Sequence, residues 1–211
     1  MALSEVAKQN AEKAFRFFLS CGCTEAGAAG LMGNLYAESG LRSNTLERLC
    51  IKRYAELGIN FTDELYTRSV DNGAIGKNEF LHPMGKHYGY GLAQWTTDGR
   101  KGGLYDYIKS KNASISDLKC QCEYLYSELQ NSLKSTLNVL KTASDINTAS
   151  DYVLLHFEQP RDAESQIGLR RKYSNEIYNL LGGGMVIIGS ARIDENGHAS
   201  GGIRRMLVKL G

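Results

Sequence analysis

Polar and apolar residues alternate with a helical period over most of the chain. Ser4 to Ser20 places Val6, Ala14, Phe17 and Phe18 near one face, and this spacing predicts an amphipathic helix with Ser4 at its N-cap and Gly22 beyond its end. Thr24 to Ala37 predicts a second helix, capped by Thr24. Its Ala28, Ala29, Leu31, Met32, Leu35 and Tyr36 turn inward, and Gly27, Ala28, Ala29 and Gly30 permit a close helix crossing. The period weakens from Gly40 to Lys86, where only Thr62 to Val70 reads as a short helix, stopped by Asn72-Gly73. The stretch "KNEFLHPMGKHYGYG" reads as a loop rich in Gly and aromatic residues, the kind of segment where binding residues collect. Helical periodicity returns from about Thr97–Asp98 to Lys109, and again over Ser116–Leu129, Ser132–Thr142, Asn147–Phe157 and Glu164–Leu180.

The triple glycine Gly182-Gly183-Gly184 stops the last of these. Beyond it, "MVIIGSARIDENGHASGG" is richer in β-branched residues and holds a hairpin-like Glu195-Asn196-Gly197 turn. The expected organisation is therefore a mainly α domain over residues 1–181. A Gly-rich linker and short β-like tail follow over residues 182–211, with the tail a candidate remnant of a second module.

Composition narrows the classes. Hydrophobic residues make up 42% of the 211, enough for a packed core, and the two prolines suit a helix-rich chain. A net charge of +2 supplies no basic field for nucleic acid, so no nucleic-acid partner is expected. The five cysteines, Cys21, Cys23, Cys50, Cys120 and Cys122, are odd in number. Their two C-x-C pairs lack the gap of zinc knuckles, so they read as reduced thiols of a protein made in a cytoplasm. The N-terminal stretch lacks the pattern of a signal peptide, and no apolar run is long enough for a membrane span. His82, His87, His156 and His198 are scattered without a metal-binding spacing, so neither metal nor cofactor is expected.

Two stretches carry candidate chemistry. In "GNLYAESGL" a single acid, Glu38, ends an apolar, small-residue helix, where the negative end of the helix dipole disfavours it. A carboxyl held against apolar groups has a raised pKa, as a general acid requires at neutral pH. In "GYGLAQWT" two glycines allow close approach of a ligand to the backbone. Gln94 offers a donor and an acceptor for sugar hydroxyls or N-acetyl groups. Trp95, the only Trp, together with Tyr88 and Tyr90, offers faces for stacking on sugar rings.

"NLYAESGL", "VDNG", "GYGLAQWT" with a following "GRK", and "FEQP" stand in an order that resembles the phage tail lysozyme family over about residues 5 to 180. Related single-glutamate patterns occur in goose-type lysozymes and lytic transglycosylases. The resemblance implies a lysozyme-like helical domain with Glu38 beside a groove, acting on the β-1,4-linked glycan of peptidoglycan. The leading expectation is a phage peptidoglycan hydrolase of the muramidase type, with a lytic transglycosylase or a catalytically inactive glycan-binding tail protein as alternatives. The want of a signal-peptide pattern fits delivery through a holin or on a tail particle, with a tail or wall-binding module as partner.

Glycosidases generally use two carboxylates. With Glu38 as the acid, Glu47 is the first candidate for the second, and Asp63, Asp71 and Asp98 are lesser ones that read as helix caps or turn residues. Glu158 in "FEQP" is expected to pair structurally with Arg161 or Arg170, and Cys50 to be a bystander. The tail resembles the opening strand of peptidase modules that follow such domains in phage lysins. It is too short for that module, and no peptidase activity is expected.

Overall fold

The structure, a computed structural model, describes residues 3–158, 162–182, 192–193 and 199–200. Among the described residues ten α-helices make up the body: α1 (Glu5–Ser20), α2 (Glu25–Ser39), α3 (Arg48–Glu56), α4 (Asp63–Asp71), α5 (Lys77–Leu81), α6 (Asp98–Ser110), α7 (Leu118–Asn131), α8 (Lys134–Thr142), α9 (Ile146–Val153) and α10 (Ala163–Leu181). No helix among the described residues is long and apolar enough to cross a membrane.

The caps behave as their residue types dictate. Ser4, Thr24 and Thr62 accept hydrogen bonds from the backbone N–H groups of Ala7, Gly27 and Leu65, satisfying donors that a helix start leaves free. The apolar face of α1 differs in detail from the expected one. It is formed by Ala7, Ala11, Ala14, Phe15 and Phe18, while Val6 is 54% exposed, because the stripe at i, i+4 and i+7 starts one residue later. Helices α3 and α5 form within the stretch of weak periodicity. Their signal is thin because α3 buries only Cys50 and Tyr54, and α5 only Phe80.

Helix α2 is the axis of the domain, buried continuously from Ala26 to Leu35 and packed by α1, α8, α9 and α10. Its glycines set the distances. A Cβ on Gly27 would lie 2.0 Å from the Leu140 carbonyl oxygen, one on Gly30 2.7 Å from the Ala149 Cβ, and one on Gly33 2.1 Å from the Ser174 Oγ. The backbones of α8, α9 and α10 occupy the space that side chains would otherwise fill. All five cysteines are free thiols, and all but Cys21 are buried.

The linker and tail expected over residues 182–211 lie outside the described residues, apart from Gly182 and one short antiparallel pairing. That pairing joins Arg192–Ile193 to Ala199–Ser200. Gln159, Pro160 and Arg161 and the Glu195-Asn196-Gly197 turn also lie outside them.

Candidate active site

Helix α2 runs two residues past its expected end, so Glu38 sits in its last turn. Gly40 closes the helix in the left-handed conformation (φ 64°), its N–H donating to the Tyr36 carbonyl at 2.8 Å. Leu41 continues at φ 57°, a strained conformation for a residue with a side chain. Burial of that side chain and a hydrogen bond from Asn10 to its carbonyl hold it there. The chain therefore reverses sharply after Glu38.

The acid's unfavourable place on the dipole is offset from α10. Arg170, 4% exposed, donates from Nη2 to Glu38 Oε1 at 2.5 Å. Its other nitrogen, Nη1, donates to the carbonyl and side-chain oxygens of Asn34, and Gln166 Oε1 accepts from Nε and Nη2. Asn34 in turn donates to the carbonyls of Gly30 and Ser150. A buried polar network thus runs from the centre of α2 to the glutamate at its end.

The Gly-rich loop folds into a narrow hairpin. Tyr90 and Trp95 exchange backbone hydrogen bonds at 3.0 and 3.1 Å, and Tyr90 also bridges to Leu46. Gly91 at φ 78° and Gln94 at φ 46° make the turn. Four side chains pin it. Ser39 donates to the Leu92 carbonyl, Lys101 to that of Tyr88, and Gln94 Nε2 to those of Thr45 and Gly91. Gln121 accepts from the Leu92 N–H while donating to Ser43 and Ile115. Glu47 meets the same loop: its N–H donates to the Gly89 carbonyl, and its Oε2 accepts the Gly89 N–H at 2.8 Å.

These elements enclose a cleft of about 500 Å³ lined by Glu38, Glu47, Gly89, Ala93, Gln94, Thr96, Thr97, Arg100 and Glu158. Glu158 was expected to have only a structural role. A π-helical turn, Leu154–Glu158, extends α9 and carries it into the cleft wall, and such irregular turns recur at functional sites. Its Oε1 is buried without a hydrogen-bond partner among the described residues. Burial first, and then the Glu38 carboxylate, push its pKa well above the usual carboxylate range, against the pull of Arg170 and Arg100. Arg100 itself is gripped by Glu128 and lies over the Phe157 ring. The sequence cue for Glu158 was its place between a buried Phe and a Pro.

The structure brings Glu38, Glu47 and Gln94 together and leaves the aromatic residues behind them. Trp95 and Tyr90 are fully buried and Tyr88 is 3% exposed, so none presents a face for stacking on a sugar. The Trp95 indole donates to Glu128 and the Tyr90 hydroxyl pairs with Thr67, which satisfies their polar ends inside the core. This corrects the expectation that these three contact substrate directly. The lesser carboxylates are engaged away from the cleft. Asp63 accepts the Leu46 N–H and pairs with Arg42, Asp71 anchors Ser114 and Ile115, and Asp98 meets His82. Cys50, with its thiol pushed up to about 12 by burial, is a core residue.

A family model described as phage tail lysozyme matches residues 9–181, a span from α1 to the end of α10. No curated protein matches the chain.

Proposed function

The chain belongs to the phage tail lysozyme family, and from that premise we propose that it hydrolyses β-1,4 glycosidic bonds of the peptidoglycan glycan strand, as a muramidase. Glu38 is the general acid and Glu47 the second carboxylate. The observation that carries this reading is the convergence of both on one cleft together with Gln94. In such a reaction one carboxyl protonates the leaving oxygen, and the other supports the sugar cation or activates water. Arg170 engages Oε1 of Glu38, so Oε2 is the atom assigned to the glycosidic oxygen. Glu158 lines the same cleft, and its carboxyl, raised by burial and by the Glu38 carboxylate, favours the neutral form beside that acid. Gln94 spends its Nε2 on two backbone carbonyls, and its Oε1 packs where a Cβ on Gly89 would come within 2.7 Å. That carbonyl is the proposed acceptor for a sugar N–H or hydroxyl. Delivery to the wall through a holin or on a tail particle, with a wall-binding partner module, belongs to the same proposal.

One observation favours a second reading. Glu47 Oε2 is engaged by the Gly89 N–H, which ties that carboxylate to the loop and suits a lytic transglycosylase, whose chemistry needs a single acid/base. Mass spectrometry of the ends released from purified peptidoglycan separates the outcomes. Reducing N-acetylmuramic acid ends support the muramidase. Reducing N-acetylglucosamine ends identify a glucosaminidase, anhydro ends a transglycosylase, and no new ends a glycan-binding protein. Glu38→Gln keeps the shape but cannot transfer a proton. A loss of at least about 10²-fold is expected, and near-normal cleavage by a folded Glu38→Gln protein overturns the assignment.

A further inference from the structure

His82, His87 and Asp98 carry no ligand spacing in the sequence, yet the fold gathers them at one point on the surface. His82 caps the end of α5, where Pro83 starts a short 3₁₀ turn, and His87 follows that turn. Asp98 is the first residue of α6. His82 Nε2 lies 2.7 Å and His87 Nδ1 3.4 Å from the same oxygen, Asp98 Oδ1. The two imidazole rings meet edge to face, 4.9 Å between centroids. One donor atom from each of the three residues falls within 4.8 Å of the others.

We propose that these three residues form a binding site for a borderline divalent transition metal ion of the zinc class. The chemistry of the set carries the choice. Two imidazole nitrogens and one carboxylate suit zinc, cobalt or nickel, whereas calcium and magnesium take oxygen ligands. A zinc ion binds imidazole nitrogen at about 2.0–2.1 Å, which places ligand atoms of one ion about 3.3 Å apart. The 3.4 Å from His87 Nδ1 to Asp98 Oδ1 matches this, and the 2.7 Å hydrogen bond between His82 and Asp98 would open to admit the ion. Three protein ligands leave water to complete the shell, and the exposure of His87 (54%) and Asp98 (60%) gives water access.

The ligands also bracket the loop that carries Gly89 and Gln94, and Asp98 directly follows Thr97 on the cleft lining. An ion here would tie the end of α5 to the start of α6 and stiffen that wall. The site stands apart from the carboxylates and does not depend on the reaction assigned to them.

The test is titration of the untagged full-length chain with Zn²⁺ alone by calorimetry, and with Co²⁺ alone by absorption spectroscopy. One saturable ion per chain is expected, with a Co²⁺ spectrum lacking thiolate charge-transfer bands and a melting temperature that rises with the ion. His87→Ala, a change at an exposed position, is expected to lower affinity at least tenfold and abolish the rise in melting temperature. His82→Gln is expected to do the same. Binding unchanged in both variants, no saturation at one ion, or a thiolate band placing the ion on the cysteines would each overturn the proposal.

Discussion

Arg170→Met is the sharpest test of how the cleft is built. Methionine keeps much of the aliphatic stem and removes the guanidinium, which donates to Glu38 Oε1, to both oxygens of Asn34 and to Gln166. Two acceptors on the buried Asn34 lose their Arg170 donor. Breaking a buried pair costs about 3–5 kcal/mol. Glu38 is 23% exposed, so water recovers part of its loss, and the expected cost lies near the lower end, about 3 kcal/mol. For a domain of this size that is a fall of about 6–12 °C in melting temperature. Urea unfolding followed by circular dichroism measures it directly. A double-mutant cycle with Glu38→Gln isolates the ion pair, and a coupling of about 2 kcal/mol is expected for a charge-assisted hydrogen bond of this burial. A total loss under about 1 kcal/mol, or a coupling within error of zero, would refute the argument that Arg170 holds Glu38 in place.

Three further outcomes follow from the packing and burial of the same core. Gly33→Ala drives a methyl into Ser174, 2.5 Å from its backbone nitrogen, so α10 must shift; a loss of at least about 2 kcal/mol is expected by urea unfolding, with wall lysis impaired as Arg170 moves. Lys101, fully buried, has its ammonium pulled from 10.5 down to about 8 by burial, so between those pH values the unfolded chain binds more protons than the folded one. Stability relative to Lys101→Met should therefore rise by up to about 3 kcal/mol as pH climbs from 8 to 10.5, and a flat difference curve would contradict it. Glu158 has the opposite sign: its folded carboxyl keeps its proton above 4.5 while the unfolded one releases it, so the wild type should lose stability relative to Glu158→Gln as pH rises from 4.5 toward 7.

Local signals were legible where one residue decides the outcome. Ser4, Thr24 and Thr62 were readable as caps because the bond each makes is local, and the small residues of α2 announced a close crossing. The acid of the cleft was readable because its place on the helix dipole is unfavourable. Residues whose role depends on distant partners were not. Nothing near Gln121 in sequence reveals that it spans Ser43, Leu92 and Ile115, nor does anything near Lys101 reveal the Tyr88 carbonyl. The aromatic residues of the Gly-rich loop misled for a related reason. A Trp or Tyr in a loop can face ligand or core, and here Glu128 and Thr67, both remote in sequence, supply the polar partners that let them turn inward.

The packing of α2 and the electrostatics of the cleft are one arrangement. A carboxylate at a helix C-terminus is disfavoured by about 0.3–1 kcal/mol, whereas a charge-assisted hydrogen bond contributes about 1.5–3 kcal/mol. The pair with Arg170 therefore outweighs the dipole and keeps Glu38 where it is. Arg170 reaches Glu38 from α10 only because α10 lies against α2 at a distance that excludes a side chain at Gly33, opposite Ser174, one turn further along the same face. Asn34, the next residue on α2, then ties the guanidinium back to Gly30 and Ser150. Enlarging a glycine in the core should thus be felt at the carboxylate, while neutralising the carboxylate should leave the helix crossing intact, because the glycine contacts precede the charge in the order of dependence.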